Sequence, residues 1–314
     1  MPRSTRASAW GREPMRRLLD SDLAWRFRRS PIAIAALLVT LLMLAGAVLA
    51  PLIAPQDPFD PANLDLMNSL IPPAFEAQGD PQFLLGTDDQ GRDLFSAILY
   101  GTRISLFVGF AGVALAMLIG VTLGLVAGYR GGWVGAVIMR VADVQLTFPA
   151  ILIALLINGI ALALVGKGGG TDLQIGVIVV AIGLSYWVQY ARTVRGSTLV
   201  ESKKEYVQAA RLIGLSDWTI MFRHVLPNVT GPVLVIATIN LALAIITEAT
   251  LSFLGVGVPS TSPSLGTLIN IGNRFLFSGE WWITIFPGVA LAVLALSVNL
   301  LGDWLRDALN PKLR

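Results

Sequence analysis

Long apolar runs separated by short polar ones make up most of this chain. Uninterrupted apolar stretches at 31–53, 104–128, 173–191, 231–254 and 283–302 each approach or exceed the roughly 20 residues that a helix needs to cross a bilayer. A sixth stretch, 148–165, is also apolar, but the amphipathic run 134–147 before it blurs its start. Six membrane helices are predicted, in an all-α polytopic chain. The first run has the arginines and small residues of a secretory leader, yet its apolar core is longer than the roughly 7–15 residues of one. It is read as a retained helix. The pattern divides the chain into a basic N-terminus (1–30), a first helix (31–53), an acidic loop (54–103), a five-helix core (104–302) and a C-terminal tail (303–314).

One polar stretch, 201–228, has a helical pattern of its own, which a simple turn between two membrane helices does not require. Ser202 and Glu205 have the spacing of a capping box. Gly214 followed by Leu215 has the form of a left-handed helix stop, and Ser216 can cap a second helix running towards Pro227. Tyr206, Ala209, Ala210 and Ile213 fall at three- and four-residue spacing, on one predicted face. The two alanines would let another surface approach closely, so the segment reads as a docking knob for a protein partner.

Composition agrees with a membrane protein. Hydrophobic residues make up 54% of the 314 and charged residues 14%, with a mean hydropathy of +0.69; soluble domains carry about 25% charged residues. There is no cysteine and one histidine, His224, which excludes disulfides, thiol chemistry and cysteine or multi-histidine metal sites. The net charge of +3 is no nucleic-acid signal, because of where the charges sit. If the N-terminus is cytoplasmic, nineteen of the 23 Lys and Arg residues fall inside, leaving Arg92, Arg103, Lys167 and Arg274 outside. That is a strong positive-inside pattern, and it places 201–228 in the cytoplasm. The sixth helix is needed for it, because without that span the later loops change sides.

The segment from Glu205 to Asn228 resembles the cytoplasmic EAA-type loop of ABC-importer permeases, with Glu205, Ala209, Ala210, Gly214, Leu226 and Pro227 at the motif positions. Four further blocks, beginning at Leu84, Gly128, Glu248 and Asn299, resemble the C-type permease subunit of dipeptide/oligopeptide importers in the same order. The resemblance runs from about Ala24 to the C-terminus. It implies a type I ABC-importer permease fold of six helices in the bacterial inner membrane, with both termini cytoplasmic. It also implies a B-type permease partner, two ABC ATPases that bind ATP and Mg, and a periplasmic substrate-binding protein. Glu205, Tyr206, Ala209, Ala210, Gly214, Leu226 and Pro227 would couple this chain to an ATPase. No catalytic residue, cofactor, metal or nucleic acid is expected on the chain itself. The same subunit type serves dipeptide, oligopeptide, glutathione and nickel-chelate systems. A self-sufficient secondary transporter is the rival reading.

Other features carry weaker signals. Gly112, Ala116, Gly120, Gly124 and Gly128 form a stripe of small residues at four-residue steps, a packing seam for another helix of this chain or of a partner. Glu248 lies within an apolar run, either held by nearby hydroxyls such as Thr247, Thr250 or Ser252, or touching substrate. Asp143 is expected to pair with Arg140 at the membrane edge. The turn from Gly86 to Asp93 lacks the twelfth-position Glu of a calcium loop, which falls on Leu99, and reads as an acidic external loop. Gly166-Lys167-Gly168 lacks the spacing of a phosphate loop. Asn228-Val229-Thr230 matches a glycosylation signal but faces the cytoplasm. Trp25, Trp281 and Trp282 fit interfacial anchors. The stretch 255–280, broken by Pro259 and Pro263, is the expected contact for a binding protein.

Overall fold

The computed structural model describes residues 26–165 and 170–309, so the Gly166–Gly168 motif and Trp25 lie outside the described residues. The elements are α1 (Pro31–Val48), α2 (Leu94–Arg130), α3 (Gly132–Leu146), α4 (Ala150–Val165), α5 (Thr171–Glu201), α6 (Glu205–Leu212), α7 (Leu226–Phe253), α8 (Leu265–Asn273) and α9 (Trp282–Leu309). Among the described residues, five helices are long and apolar enough to span a membrane, and a sixth span forms if α3 and α4 are taken together. The helix predicted over 148–165 is α4, and the amphipathic run before it is α3. The two meet at a bend of 96° at Thr147–Pro149, where Pro149 lacks a helical donor and disfavours α geometry at Phe148.

Chain direction shows why this pair must return across the bilayer. The glycine stripe of α2 packs along α5. A β-carbon at Gly112 would lie 2.6 Å from Ile182 Cγ2, at Gly124 2.5 Å from the Ala191 carbonyl oxygen, and at Gly128 2.7 Å from Thr198 Cβ. Residue numbers rise together on both helices, so α2 and α5 run parallel. Two parallel spans need one return crossing between them, and α3 with α4 are the intervening helices. The seam therefore lies within this chain. Ala116, at the same spacing, is fully buried with it.

Helix starts follow local chemistry. Ser30 accepts from the Ala33 amide ahead of Pro31, a residue suited to a first turn. Asp93 caps α2 by accepting from the Ser96 amide at 2.8 Å. The main hydrophobic core lies among α2, α4, α5, α6 and α7 and includes Leu125, Ile182, Tyr190, Val207 and Ile220. A second cluster, with Ala47, Leu106, Ile245, Leu265 and Leu294, joins α1, α8 and α9 to α2 and α7.

The loop between α1 and α2 is far from a free acidic segment. Asp57, Asp60, Asp65, Asp80 and Asp88 each accept from the backbone amide two residues on, at 2.9 to 3.0 Å. These are Asx turns, which short acidic side chains favour. The turn from Gly86 to Asp93, read as an acidic external loop, is closed by a bridge between Thr87 and Asp93 and is largely buried. Arg92 pairs with Asp88 at 2.6 Å, both sealed from solvent, and its Nη1 donates to the Ser260 carbonyl at 3.0 Å. Trp282 is likewise no free interfacial anchor. It is buried and donates to the Thr87 carbonyl at 3.1 Å, while Trp281 donates to Glu76 at 3.2 Å.

Glu248 sits at a knot beneath this cap. Its oxygens accept from Ser105 of α2 and from Ser252 one turn along α7, both at 2.7 Å, and the side chain is fully buried. Ser105 Oγ also accepts from the Leu265 amide at the start of α8, at 3.4 Å. Of the hydroxyls expected near Glu248, only Ser252 bonds to it. Thr247 pairs with the Tyr186 hydroxyl and Thr250 with its own helix. The carboxylate joins α2, α7 and α8, and it is enclosed by this chain.

Candidate functional site

The segment between α5 and α7 forms a foot. Residues Glu205–Leu212 make the short helix α6, and Gly214, at φ +80°, ends it. The Leu215 amide donates to the Ala210 carbonyl and the Gly214 amide to Arg211, at 3.2 and 3.0 Å, which is the Schellman pattern. An L side chain is strained at this φ, so glycine is the residue the stop requires.

Three expectations about the foot are corrected. No capping box forms. α5 continues to Glu201, Ser202 closes it in helical geometry with its hydroxyl facing the Leu199 carbonyl, and Lys204 is the residue ahead of α6. The second helix does begin at Ser216, whose hydroxyl accepts from the Thr219 amide at 3.3 Å. It does not stop near Pro227. It passes through a π-turn, Ile220–Val225, into α7, making one rod from Asp217 to Phe253. The wide turn lets the Leu226 amide reach back to the Met221 carbonyl, and Pro227 follows directly after it.

The third correction concerns the docking face. Ala209 is exposed, but Ala210 is buried beside Val207 in the main core. Adjacent helical residues diverge by about 100°, so the alanine pair cannot share one surface. The outward apolar tip consists instead of Leu212 (88% exposed) and Ile213 (75%), flanked by Ala209 and Glu205. Gly214 is exposed beside the tip, and Leu226 and Pro227 lie above it at the start of α7.

Two tyrosines anchor the foot to three spans. Tyr206 Oη donates to Glu201 Oε1 of α5 at 2.8 Å and accepts from Asn228 Nδ2 of α7 at 3.2 Å. Burial, with help from the Glu201 carboxylate, holds this phenol above its usual pKa, so it remains a neutral donor. Lys204 pairs with the other Glu201 oxygen at 2.8 Å. Tyr129, in the last turn of α2, donates to Asp217 Oδ1 at 3.0 Å and accepts from Arg211 Nε at 3.2 Å. The Arg211 guanidinium also lies 4.7 Å from the Tyr129 ring centre, and Arg130 lies 5.9 Å from that of Trp218.

Sequence reasoning missed Tyr129, Asn228, Asp217 and Val207. The Tyr129 contacts span 82 and 88 residues, so no local spacing reveals them. Val207 and Ala210, three apart, did carry a signal for an inward stripe. Asp143 pairs with Arg192 at 2.5 Å rather than with the expected Arg140. Among the described residues no cluster of acidic and histidine side chains has the arrangement of a metal site.

Residues 120–314 match the model of the binding-protein-dependent transport system inner membrane component, and residues 21–73 match the N-terminal TM domain of oligopeptide transport permease C. The chain is 40% identical to the glutathione transport system permease protein GsiD of Pectobacterium atrosepticum, across 92% of this chain and 90% of that one. It is 38% identical to the dipeptide transport system permease protein DppC of Haemophilus influenzae, across 92% and 93%. Against the oligopeptide transport system permease protein OppC of Bacillus subtilis the identity is 36%, across 94% and 90%. A structure of the MetNI methionine ABC transporter, inward facing, aligns over 69% of this chain and 96% of that one, with 20% identity and a TM-score of 0.49. This chain belongs to the family of inner membrane components of binding-protein-dependent transport systems.

Proposed function

We propose that this chain is the C-type permease subunit of an ATP-driven importer that moves di- or oligopeptides, or a related small polar solute, across the bacterial inner membrane by alternating access. The observation that carries this is the foot. It is a capped helix with an exposed apolar tip, tied by hydrogen bonds to the cytoplasmic ends of α2, α5 and α7. Such a foot is rigid enough to pass a push to several spans at once, as a switch between discrete arrangements needs. Glu205, Ala209, Leu212 and Ile213 present the surface for an ABC ATPase. Val207, Ala210 and Tyr206 hold that surface on the membrane helices, and Gly214, Leu226 and Pro227 shape its exit. Two ATPases bind ATP and Mg, a B-type permease supplies the other half of the route, and a periplasmic binding protein delivers solute. This chain performs no covalent chemistry, and both its termini are cytoplasmic. The capped outer loops, which display Phe277, Met67 and Leu66, supply apolar contact surface for the binding protein. The enclosure of Glu248 supports this reading over an ion-driven transporter, because it withdraws the carboxylate that such coupling would use.

The test is uptake of di- and tripeptides by proteoliposomes holding the complete complex. Leu212→Asp with Ile213→Asp, at normal abundance in the membrane, is expected to lower ATP-driven uptake by roughly tenfold or more, as loss of central interface anchors does. Uptake by this chain without ATPases, driven by an ion gradient, would overturn the proposal.

A further inference from the structure

Side-chain size separates two faces of α2. The face towards α5 carries the glycine stripe, as close helix packing requires. Another face, towards α7, opens into a groove of about 560 Å³ with bulky walls. Met117, Leu118 and Val121 line it from α2, Phe222 from the π-turn, and Leu226 and Leu234 from α7. Its rims are open, with Leu118 63% and Leu234 54% exposed. Two threonines in the wall turn their hydroxyls to their own helices, Thr122 to the Leu118 carbonyl at 2.7 Å and Thr230 to that of Pro227 at 2.9 Å. The groove therefore offers an occupant no side-chain donor.

Its length and its two ends define what fits. Ala114 to Thr122 covers about 12 Å of α2, and Leu226 to Leu234 about 12 Å of α7, at 1.5 Å per residue. Phe222 extends the groove past the start of α7. That is close to one leaflet of a hydrocarbon core about 30 Å thick. The Phe222 end is aromatic and cationic. Trp218 stacks on Phe222 with ring centres 5.6 Å apart, Arg130 lies 5.9 Å from the Trp218 ring centre, and Arg223 is exposed beside Phe222. The acidic residue of this end, Asp217, is engaged by the Tyr129 hydroxyl. The far end, at Ala114 and Leu234, is apolar. A phospholipid joins these two chemistries in one molecule, an apolar chain one leaflet long and an anionic head that meets arginine and tryptophan at the membrane surface. A helix of a second permease would call for a wall that lets backbones approach, as the glycines facing α5 do, and no glycine lines this groove.

We propose that the groove between α2 and α7 binds one anionic phospholipid from the leaflet on the side of the foot, with its acyl chain along Leu118 and Leu234 and its phosphate at Arg130 and Arg223. The inference rests on the importer reading only in making that leaflet the cytoplasmic one. Tyr129 ties the foot to α2, and Asn228 with Tyr206 ties it to α7. The lipid thus stands between two of the spans that carry the foot.

The test places the complete complex in phosphatidylcholine nanodiscs with a trace of a lipid bearing a diazirine on its acyl chain. The probe is phosphatidylglycerol in one set and phosphatidylcholine in the other, and labelled peptides are mapped by mass spectrometry after irradiation. At 114–122 and 226–234 the anionic probe is expected to label up to roughly thirtyfold more than the neutral one, since two cations contribute about 1 kcal/mol each. Around Val289 and Leu296, on the outward face of α9, the two probes are expected to label alike. Arg130→Gln with Arg223→Gln is expected to erase the preference. Ala114→Trp fills the far end from an exposed position and is expected to lower the anionic label about tenfold. Should it fail to accumulate, the arginine pair carries the test. Equal labelling of the groove by the two probes overturns the proposal. So does cross-linking of Leu118→Cys to the second permease, which would make the groove a subunit interface. Either result in a complex that still takes up solute with ATP leaves the importer reading standing. Preferential groove labelling in a complex whose uptake ignores ATP supports the lipid site and overturns the importer reading instead.

Discussion

Tyr129 and Tyr206 show how two hydroxyls can set the stiffness of a coupling element. Each is both donor and acceptor; Tyr129 ties the foot to α2, and Tyr206 ties it to α5 and α7. Tyr129→Phe keeps the ring beneath Arg211 and removes only the links to Asp217 and Arg211. With each of the two net bonds worth about 1 kcal/mol, solute moved per ATP is expected to fall by up to roughly thirtyfold while ATP turnover persists. Parallel uptake and phosphate-release assays on the complete complex check this; unchanged stoichiometry would show that the foot is held without Tyr129. Gly214 was legible from sequence at this scale, because a positive φ is a property of one residue and its neighbours. The capping role expected of Ser202 was not, because it depends on where the preceding helix ends. Local spacing is silent on whether α5 stops at the membrane surface or runs on to Glu201.

Among the elements, the seam between α2 and α5 sets how closely two spans approach. Backbone atoms of α5 occupy the space that side chains on Gly120, Gly124 and Gly128 would need. Gly124→Val forces the helices apart and is expected to cost about 1–3 kcal/mol or more, read as a lower unfolding temperature of the purified complex in detergent. Gly176→Val, on α5 where a β-carbon meets nothing within 4 Å, is the control and is expected to leave that temperature nearly unchanged. The periodicity of small residues made this seam readable, but not its partner. Periodicity records one helix's surface and carries no address for the other. The rod from Asp217 to Phe253 was hidden for a related reason. Pro227 and Pro232 look like breaks, yet a π-turn directly precedes one, and α7 continues past both.

For the molecule as a whole, the cap built by the loop between α1 and α2 joins parts far apart in sequence. Arg92 bonds to Asp88 and to Ser260, 168 residues away, with the ion pair fully enclosed. Arg92→Met leaves the Asp88 carboxylate buried without its partner, at a cost of about 3–5 kcal/mol. Faster protease cleavage within 54–93, with the membrane spans intact, is the expected readout. The apolar runs alone determined that this chain crosses a membrane as an all-helical bundle, because about 20 apolar residues in lipid must satisfy their backbone internally. The ordered motifs along it, in turn, pointed to a permease. Only the tertiary structure decided which alanine of the foot faces outward, where the glycine seam docks, that Glu248 is sealed, and that the turn from Gly86 to Asp93 is a buried clamp. Each of these depends on which surfaces meet across tens of residues, and helical period and residue type are local quantities that do not encode that choice.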